Sequence, residues 1–192
     1  HDEETHRWYG PDIIFGLSFG YVEPRQTILD LGIGTGLSSL PFHKAGLKIY
    51  GMDLSSEMLT VCQKKGIAEE LRNHDLTKTP YPYGECSMHH AVCVGVFSFF
   101  ENIEPVFCEA SRILKDKGIF GFIVADRKKD ESSLFEVQHA GSSHTMYRHS
   151  LEQILEYTKK TGFHILRELE FLFPEQNGKK TVLKAYIARK SI

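Results

Sequence analysis

The sequence predicts an α/β protein built on one open, mostly parallel sheet with helices on both faces. Strand-like apolar runs alternate with helix-like segments along almost all of the 192 residues, which is typical of this fold class. The first of these runs ends in a glycine-rich turn. The last two are joined by a connection too short for a crossover, so we expect them to pair antiparallel.

The first half of the chain begins with two strand–helix units and a third strand. Gly46 and Gly66 have the positions of C-terminal stops for the two helices. Ser55 has the position of an N-cap for the second helix. The predicted elements are strand 27–31, helix 37–45, strand 48–53, helix 57–65 and strand 70–74.

The second half continues the alternation. Residues 88–94 are a near-continuous apolar run, as expected for a central strand that is covered on both faces. Ser150 is the predicted N-cap of the last helix, and Asn177-Gly178 marks a hairpin turn. Residues 126–148 are polar and long, which indicates either a functional lid or an irregular loop. The predicted elements are strand 88–94, helix 101–114, strand 118–125, helix 150–161 and strands 163–173 and 180–189.

The composition of the chain limits the number of domains, the partners and the cellular location that we expect. With 41% hydrophobic residues, the chain is long enough for one well-buried core, so we expect a single domain over 1–192. Lys and Arg total 23 against 25 for Asp and Glu, so the chain lacks the basic surplus that phosphate backbones attract, and nucleic acid is an unlikely partner. The sequence has no transmembrane or signal pattern and no paired cysteines, which favours a cytoplasmic protein that is not bound to a membrane.

The glycine-rich turn follows the first predicted strand. Gly32, Gly34 and Gly36 let the backbone turn tightly and approach a ligand without side-chain interference. Their spacing is G-x-G-x-G, whereas NAD-binding turns have G-x-G-x-x-G, and Leu37 stands at that third position. Asp30, directly before the turn, would repel a pyrophosphate but suits the ammonium group of an amino acid. The turn therefore favours S-adenosylmethionine over NAD.

Carboxylates end the next two strands. Asp53 can accept hydrogen bonds from both hydroxyls of a ribose, and Asp75 is placed to accept one from the amino group of adenine. The alternatives are a helix N-terminal carboxylate for Asp53, a solvated loop residue for Asp75 and a tight turn without ligand for the glycines. The predicted cofactor-binding residues are Asp30, Gly32, Ile33, Gly34, Gly36, Asp53, Leu54, Met58, Asp75, Leu76, Val94 and Gly95.

These motifs resemble the class I (Rossmann-like) S-adenosylmethionine-dependent methyltransferases, and the resemblance extends over residues 27–189. It rests on the sequences LDLGIGTG at 29–36 and GMDLSSEML at 51–59, on Asp75-Leu76, and on RILKDKG at 112–118. It is nearest to small stand-alone enzymes known as "methyltransferase-like". The resemblance implies strand order 3-2-1-4-5-7-6 with strand 7 antiparallel, and a helical or lid segment 1–25 before a Rossmann-like core 26–192. It also implies S-adenosylmethionine as cofactor and S-adenosylhomocysteine as product.

A small-molecule methyl acceptor is favoured, because 94–97 reads Val-Gly-Val-Phe and lacks the Asn/Asp-Pro-Pro-aromatic element of nucleic-acid amino-methylating enzymes. No catalytic residue is predicted, since methyl transfer needs a general base only when the acceptor must lose a proton. The candidates for acceptor contacts are Phe97, Tyr147, Arg148 and His149. The alternatives are a cofactor-binding module without turnover and, less favoured, an NAD-dependent oxidoreductase.

Three further interpretations concern aromatic and histidine residues. Phe97, Phe99 and Phe100 either form a hydrophobic acceptor pocket or pack under the next helix. Trp8 and Tyr9 belong to a lid or anchor a helix to the sheet. His89 and His90 are adjacent in a strand and point to opposite faces, so no metal site is predicted. We expect a monomer or a homodimer.

Overall fold

The structure is a computed structural model that describes residues 8–139, 142–174 and 180–191. Nine strands and five α-helices follow one another in these ranges. The strands are β1 Thr27–Leu31, β2 Lys48–Asp53, β3 Ala68–Asn73, β4 Met88–Cys93, β5 Leu114–Ala125, β6 Leu134–His139, β7 Ser142–Tyr147, β8 Phe163–Pro174 and β9 Lys180–Lys190. The helices are α1 Gly10–Ser18, α2 Leu40–Lys44, α3 Ser56–Lys64, α4 Glu104–Ile113 and α5 Leu151–Lys160.

Seven of the strands form one sheet in the order β3-β2-β1-β4-β5-β9-β8. All run parallel except β9, which is antiparallel to both of its neighbours. Counted among the strands of this sheet alone, the order is the predicted 3-2-1-4-5-7-6 with strand 7 antiparallel. The labels differ because β6 and β7 form a separate two-stranded hairpin. The predicted fold class is therefore confirmed.

Apolar side chains pack on both faces of the sheet. Successive residues of a strand point to opposite faces, so Ile28 joins one core and Leu29 the other. The core under α4 and α5 is largely aromatic, and Phe107 lies 5.0 Å from Phe122 between ring centroids. The core under α1, α2 and α3 is mainly aliphatic. The predicted covering of both faces by helices is thus observed.

Two helices are shorter than predicted. Helix α2 begins at Leu40 instead of residue 37, because the chain after the glycine turn continues as turns and Pro41 occupies the first helical turn, where its missing N–H costs nothing. Helix α4 begins at Glu104, again with a proline in its first turn. Among the described residues, none of the helices combines the length and the apolarity that crossing a membrane requires.

The segment 126–148 contains the hairpin β6–β7 and is not an irregular loop. Phe135 pairs with Met146 across the hairpin, and Val137 pairs with His144. Polar residues alternate with these apolar ones. The two strands therefore contain no continuous apolar run from which they could be predicted. The chain rejoins the sheet at His149, whose N–H donates to the Ala125 carbonyl at 2.9 Å.

Helix α5 begins in a capping box. The Ser150 hydroxyl accepts the Gln153 N–H at 3.3 Å, and the Gln153 side chain accepts the Ser150 N–H at 3.0 Å. Replacing Ser150 by alanine is expected to lower the free energy of unfolding by about 1 kcal/mol, because one helix N–H loses its acceptor. Urea denaturation measures this loss. Ser133→Ala is the matched control, since its hydroxyl bonds to no described residue, and equal losses in the two variants would contradict the prediction.

Candidate functional site

A cavity of about 760 Å³ opens at the carboxyl ends of β1, β2, β3 and β4. The strand order reverses between β1 and β4, and open α/β sheets bind ligands at such a switch point. Its walls come from the residues that directly follow these strands, together with Trp8 from the N-terminal segment. The lining residues are Trp8, Gly32, Ile33, Gly34, Thr35, Leu37, Ser38, Asp53, Leu54, Ser55, Met58, His74, Asp75, Leu76, Val94, Gly95, Val96, Phe99 and Phe100.

The turn after β1 requires its glycines. Gly32, Gly34 and Gly36 have φ angles of 81°, 53° and 83°, in the left-handed region that side chains disfavour. A Cβ on Gly32 would lie 2.5 Å from a methyl carbon of Val96, and one on Gly36 would lie 2.8 Å from the Cys62 sulfur. Gly36 therefore packs against the core behind the turn and, unlike the other two, does not line the cavity.

Strand β2 holds the turn in place. The N–H groups of Gly32 and Ile33 both donate to the Met52 carbonyl, at 2.8 and 3.0 Å. The Gly34 N–H donates to Oδ2 of Asp53 at 2.7 Å, and Oδ1 of Asp53 accepts the Ser55 N–H at 2.9 Å. The Asp53 carboxylate thus joins the glycine turn to the start of α3 while it lines the cavity.

Asp30 lies behind the cavity wall. Its side chain is fully buried, and Oδ2 accepts the Ser39 hydroxyl at 2.7 Å. Oδ1 has no hydrogen-bond partner among the described residues. Burial raises the pKa of this carboxyl from 3.8 to about 7, an effect that the Ser39 hydrogen bond opposes and the nearby Asp53 charge adds to. Near neutral pH the group is therefore divided between its neutral and ionised forms.

The far end of the cavity combines one carboxylate with apolar walls. Oδ1 of Asp75 accepts both the N–H and the hydroxyl of Thr77, each at 2.8 Å, and these hydrogen bonds lower the pKa of Asp75. The carboxylate is therefore ionised at neutral pH. Leu76 is buried in the wall, whereas Met58 and Leu54 are exposed around it.

The four candidates for acceptor contacts do not line this cavity. Phe97 is fully buried and stacks on Phe107 at 5.9 Å between ring centroids, so it packs under the next helix. The Arg148 guanidinium lies over the Phe135 ring at 4.2 Å. Nε2 of His149 lies 3.1 Å from the Phe97 carbonyl oxygen in a buried position, and Tyr147 is half-buried at the end of β7. Their positions do not support direct contacts with a ligand in the cavity.

Trp8 lines the cavity, and the sequence left two interpretations of it open, a lid or an anchor of a helix to the sheet. Its ring meets Phe173 edge-on at 5.4 Å and lies 6.3 Å from Phe171, both on β8. It therefore anchors the N-terminal segment to the sheet and also borders the cavity. Phe99, for which the sequence left an acceptor pocket or packing under the next helix open, also lines the cavity, and 58% of its surface is exposed.

The described residues include no group of three or more His, Cys, Asp or Glu side chains arranged to hold a metal ion. The adjacent histidines have separate partners. Nδ1 of His89 lies 2.8 Å from the Thr27 hydroxyl, and Nε2 of His90 lies 2.6 Å from the Gln26 side-chain oxygen. Both side chains thus fasten β4 to the start of β1.

Part of the chain matches the model of a known protein family, and the chain is similar in sequence to several known proteins. Residues 29–122 match the family model of a methyltransferase domain. An uncharacterized protein of Methanocaldococcus jannaschii is 26% identical over 182 residues, which are 90% of this chain and 83% of that protein. A demethylmenaquinone methyltransferase of Tropheryma whipplei is 28% identical over 93 residues, or 48% of this chain and 39% of that enzyme.

The fold has close counterparts among solved structures. The crystal structure of an S-adenosylmethionine-dependent methyltransferase from Methanosarcina mazei superposes with a TM-score of 0.77 at 16% identity, covering 92% of this chain and 97% of that chain. The residues matched by the family model include the glycine turn, Asp53, Asp75 and Gly95. Residues 29–122 therefore resemble a methyltransferase domain, and the chain has the class I fold that S-adenosylmethionine-dependent methyltransferases share.

Proposed function

We propose that this chain binds S-adenosylmethionine in the 760 Å³ cavity and transfers its methyl group to a small-molecule acceptor. The observation that carries the proposal is that one continuous cavity is lined by the glycine-rich turn, by Asp53 and by Asp75. These are spaced along the strand ends in the order amino acid, ribose and adenine. When bound, this cofactor supplies a methyl group already activated by a positively charged sulfur.

The residues present fit the three parts of the cofactor. Gly32 and Gly34 leave room for the amino-acid part, and the buried Asp30 behind them places a partly ionised carboxyl near its ammonium group. Asp53 faces the ribose with a carboxylate that two backbone N–H groups already hold in position. Asp75 accepts from the adenine amino group between apolar walls that include Leu76.

The protein's contribution to the reaction is to bind, orient and exclude water. A reactive geometry held in a dry site supplies most of the rate when one reactant is already activated. Trp8 lines the cavity just before α1, and α1 packs on β5 and β9. We therefore propose that the N-terminal segment 1–25, of which the structure describes residues 8–25, acts as a cover on a Rossmann-like core 26–192, and that 1–192 is one domain; residues 1–7 lie outside the described residues.

Isothermal titration calorimetry with S-adenosylhomocysteine tests the cofactor site. We expect saturable binding of one ligand per chain, and absence of heat at about millimolar ligand would overturn the proposal. NADH, followed by its fluorescence, is the matched probe for the oxidoreductase alternative and is expected not to bind. A metabolite extract incubated with radiolabelled S-adenosylmethionine tests turnover. Binding without label transfer to any component would support the cofactor site but contradict the proposed transferase activity.

A further inference from the structure

A second cavity, of about 260 Å³, adjoins the first. The two share Trp8, Gly95 and Phe99 in their walls. The remaining walls come from the sheet on one side and from the hairpin β6–β7 on the other. The residues that line only the second cavity are Ser98, Ile123, Phe135, Val137, Met146, Phe173, Thr181 and Leu183. This cavity therefore lies between the sheet and the hairpin, next to the end of β4.

The walls of the second cavity are almost entirely apolar. Ser98 and Thr181 contribute hydroxyls and Trp8 an indole N–H, and no described lining residue carries a charge. A ligand with a fixed charge would lose hydration there without a partner, whereas burial of an apolar ring is favourable. An apolar cavity of about 150 Å³ is large enough to hold benzene. The second cavity thus suits a compound of one or two rings.

Aromatic contacts fix two of these walls before any ligand arrives. On the hairpin, Phe135 stands opposite Met146 and is covered by the Arg148 guanidinium at 4.2 Å. On the sheet, Phe173 is held edge-on against Trp8 at 5.4 Å. A wall that is already ordered loses little entropy when a ligand binds.

No described residue with a titratable side chain lines the second cavity. In the first cavity the proposed function places Asp53 at the ribose and Asp75 at the adenine, and the remaining titratable group, His74, directly precedes Asp75 and has its Nε2 2.8 Å from the Lys78 carbonyl oxygen. The described residues at the junction of the two cavities therefore supply no general base. A thiol or hydroxyl that attacks there must ionise by itself, which a thiol with a pKa of about 8.5 or a phenol with a pKa of about 10 can do.

We propose that the second cavity holds the methyl acceptor, an uncharged apolar compound of one or two rings that carries a thiol or a phenolic hydroxyl. This inference rests on the proposed function. The acceptor loses its proton to water, and its sulfur or oxygen forms the new bond to the methyl carbon. The bond from that carbon to the sulfonium breaks, and its electron pair stays on the sulfonium sulfur. The ionised head meets a positive charge at the junction while the ring lies among apolar walls.

Trp8 provides a readout of occupancy that does not depend on activity. It is the single tryptophan of the chain and lines both cavities. In reducing buffer acidic enough to keep the thiol protonated, and with saturating S-adenosylhomocysteine, 4-methylbenzenethiol is expected to change the fluorescence of Trp8 in a saturable way. The matched charged probe, 4-mercaptobenzoate, is expected to bind about tenfold more weakly or worse, because its carboxylate has no partner in the cavity. Equal affinities for the two probes would overturn the inference.

Two neighbouring residues of β7 give a matched pair of variants. Met146 lines the second cavity, whereas Thr145 is exposed and donates to Glu136 at 2.7 Å on the other face of the hairpin. Met146→Lys is expected to weaken binding of 4-methylbenzenethiol by about tenfold or more, because it brings a charge to the apolar wall. Thr145→Lys is expected to leave that affinity unchanged. Met146→Ala, which introduces no charge, is expected to cause a smaller loss.

Calorimetry with S-adenosylhomocysteine on the same variants separates this inference from the proposed function. Retained cofactor binding together with lost thiol binding supports the assignment of the acceptor cavity. Unchanged thiol binding in Met146→Lys would overturn that assignment, even if the cofactor site is correct. Radiolabelled methyl transfer to 4-methylbenzenethiol and phenol, but not to benzyl alcohol, is expected. Equally fast methylation of benzyl alcohol would show that a base acts at the junction and would contradict the proposed acceptor class.

Discussion

Replacement of Asp53 by alanine is expected to weaken S-adenosylhomocysteine binding by about a hundredfold or more. The carboxylate accepts the Gly34 N–H at 2.7 Å and the Ser55 N–H at 2.9 Å, and it is the proposed acceptor for the ribose hydroxyls. Hydrogen bonds to a charged group contribute about 1.5–3 kcal/mol each, and about 1.4 kcal/mol corresponds to a tenfold change in affinity. Isothermal titration calorimetry measures the change.

Two further variants show whether the effect is specific. Asp53→Asn keeps the shape and one acceptor oxygen, so its affinity is expected to lie between those of the wild type and the alanine variant. Glu69→Ala removes an exposed carboxylate from the neighbouring strand β3 and is expected to bind normally. Wild-type affinity in Asp53→Ala, with an unchanged circular dichroism spectrum, would show that the ribose does not use this carboxylate.

The cofactor side of the site was accessible from the sequence because its signals are local. Gly32 and Gly34 stand where the backbone takes positive φ, and Asp53 and Asp75 directly follow or end strands, so each position can be recognised from its immediate neighbours. Strand order then brings these positions to one edge of the sheet without further information. Ten of the twelve predicted cofactor-binding residues line the cavity, and the other two, Asp30 and Gly36, lie directly behind it.

The second cavity, proposed for the acceptor, could not be predicted in this way, because it is formed by contacts between distant parts of the chain. Trp8, Met146 and Leu183 share one cavity, yet nothing in the sequence near any of them shows the other two. Phe97 shows why the sequence left two interpretations open. Its place after β4 suggested a pocket, but the aromatic core under α4 takes up its whole side chain. Core and pocket use the same apolar side chains, so only packing separates them.

The free energy of unfolding is expected to fall as the pH rises from about 4 to about 7, through the buried carboxyl of Asp30. Its pKa is raised from 3.8 to about 7 by burial in the folded state, whereas in the unfolded chain it titrates near its ordinary value. Between these values the folded state holds a proton that the unfolded state has lost, so increasing pH favours unfolding. Above about pH 7 both states are ionised and this contribution stays constant.

Asp30→Asn removes this titration while it keeps the shape of the side chain. The free energy of unfolding of the variant relative to the wild type is therefore expected to increase by about 3 kcal/mol between pH 4 and pH 7, since each unit of pKa corresponds to about 1.36 kcal/mol and the titration is incomplete at both ends of this range. Urea denaturation at a series of pH values measures the difference, and comparing the two proteins at each pH cancels every carboxylate that they share.

Ser39→Ala tests the same carboxyl from its hydrogen-bond partner. The Ser39 hydroxyl donates to Oδ2 of Asp30 at 2.7 Å and lowers its pKa, so its loss raises that pKa further. The decrease in stability is then expected to continue to a higher pH in Ser39→Ala than in the wild type.

A difference between Asp30→Asn and the wild type that stays constant from pH 4 to pH 8 would mean that Asp30 ionises in the folded protein as it does in the unfolded chain. Groups of the protein itself would then stabilise the Asp30 charge. The unpaired Oδ1 would not require the ammonium group of the cofactor as its partner.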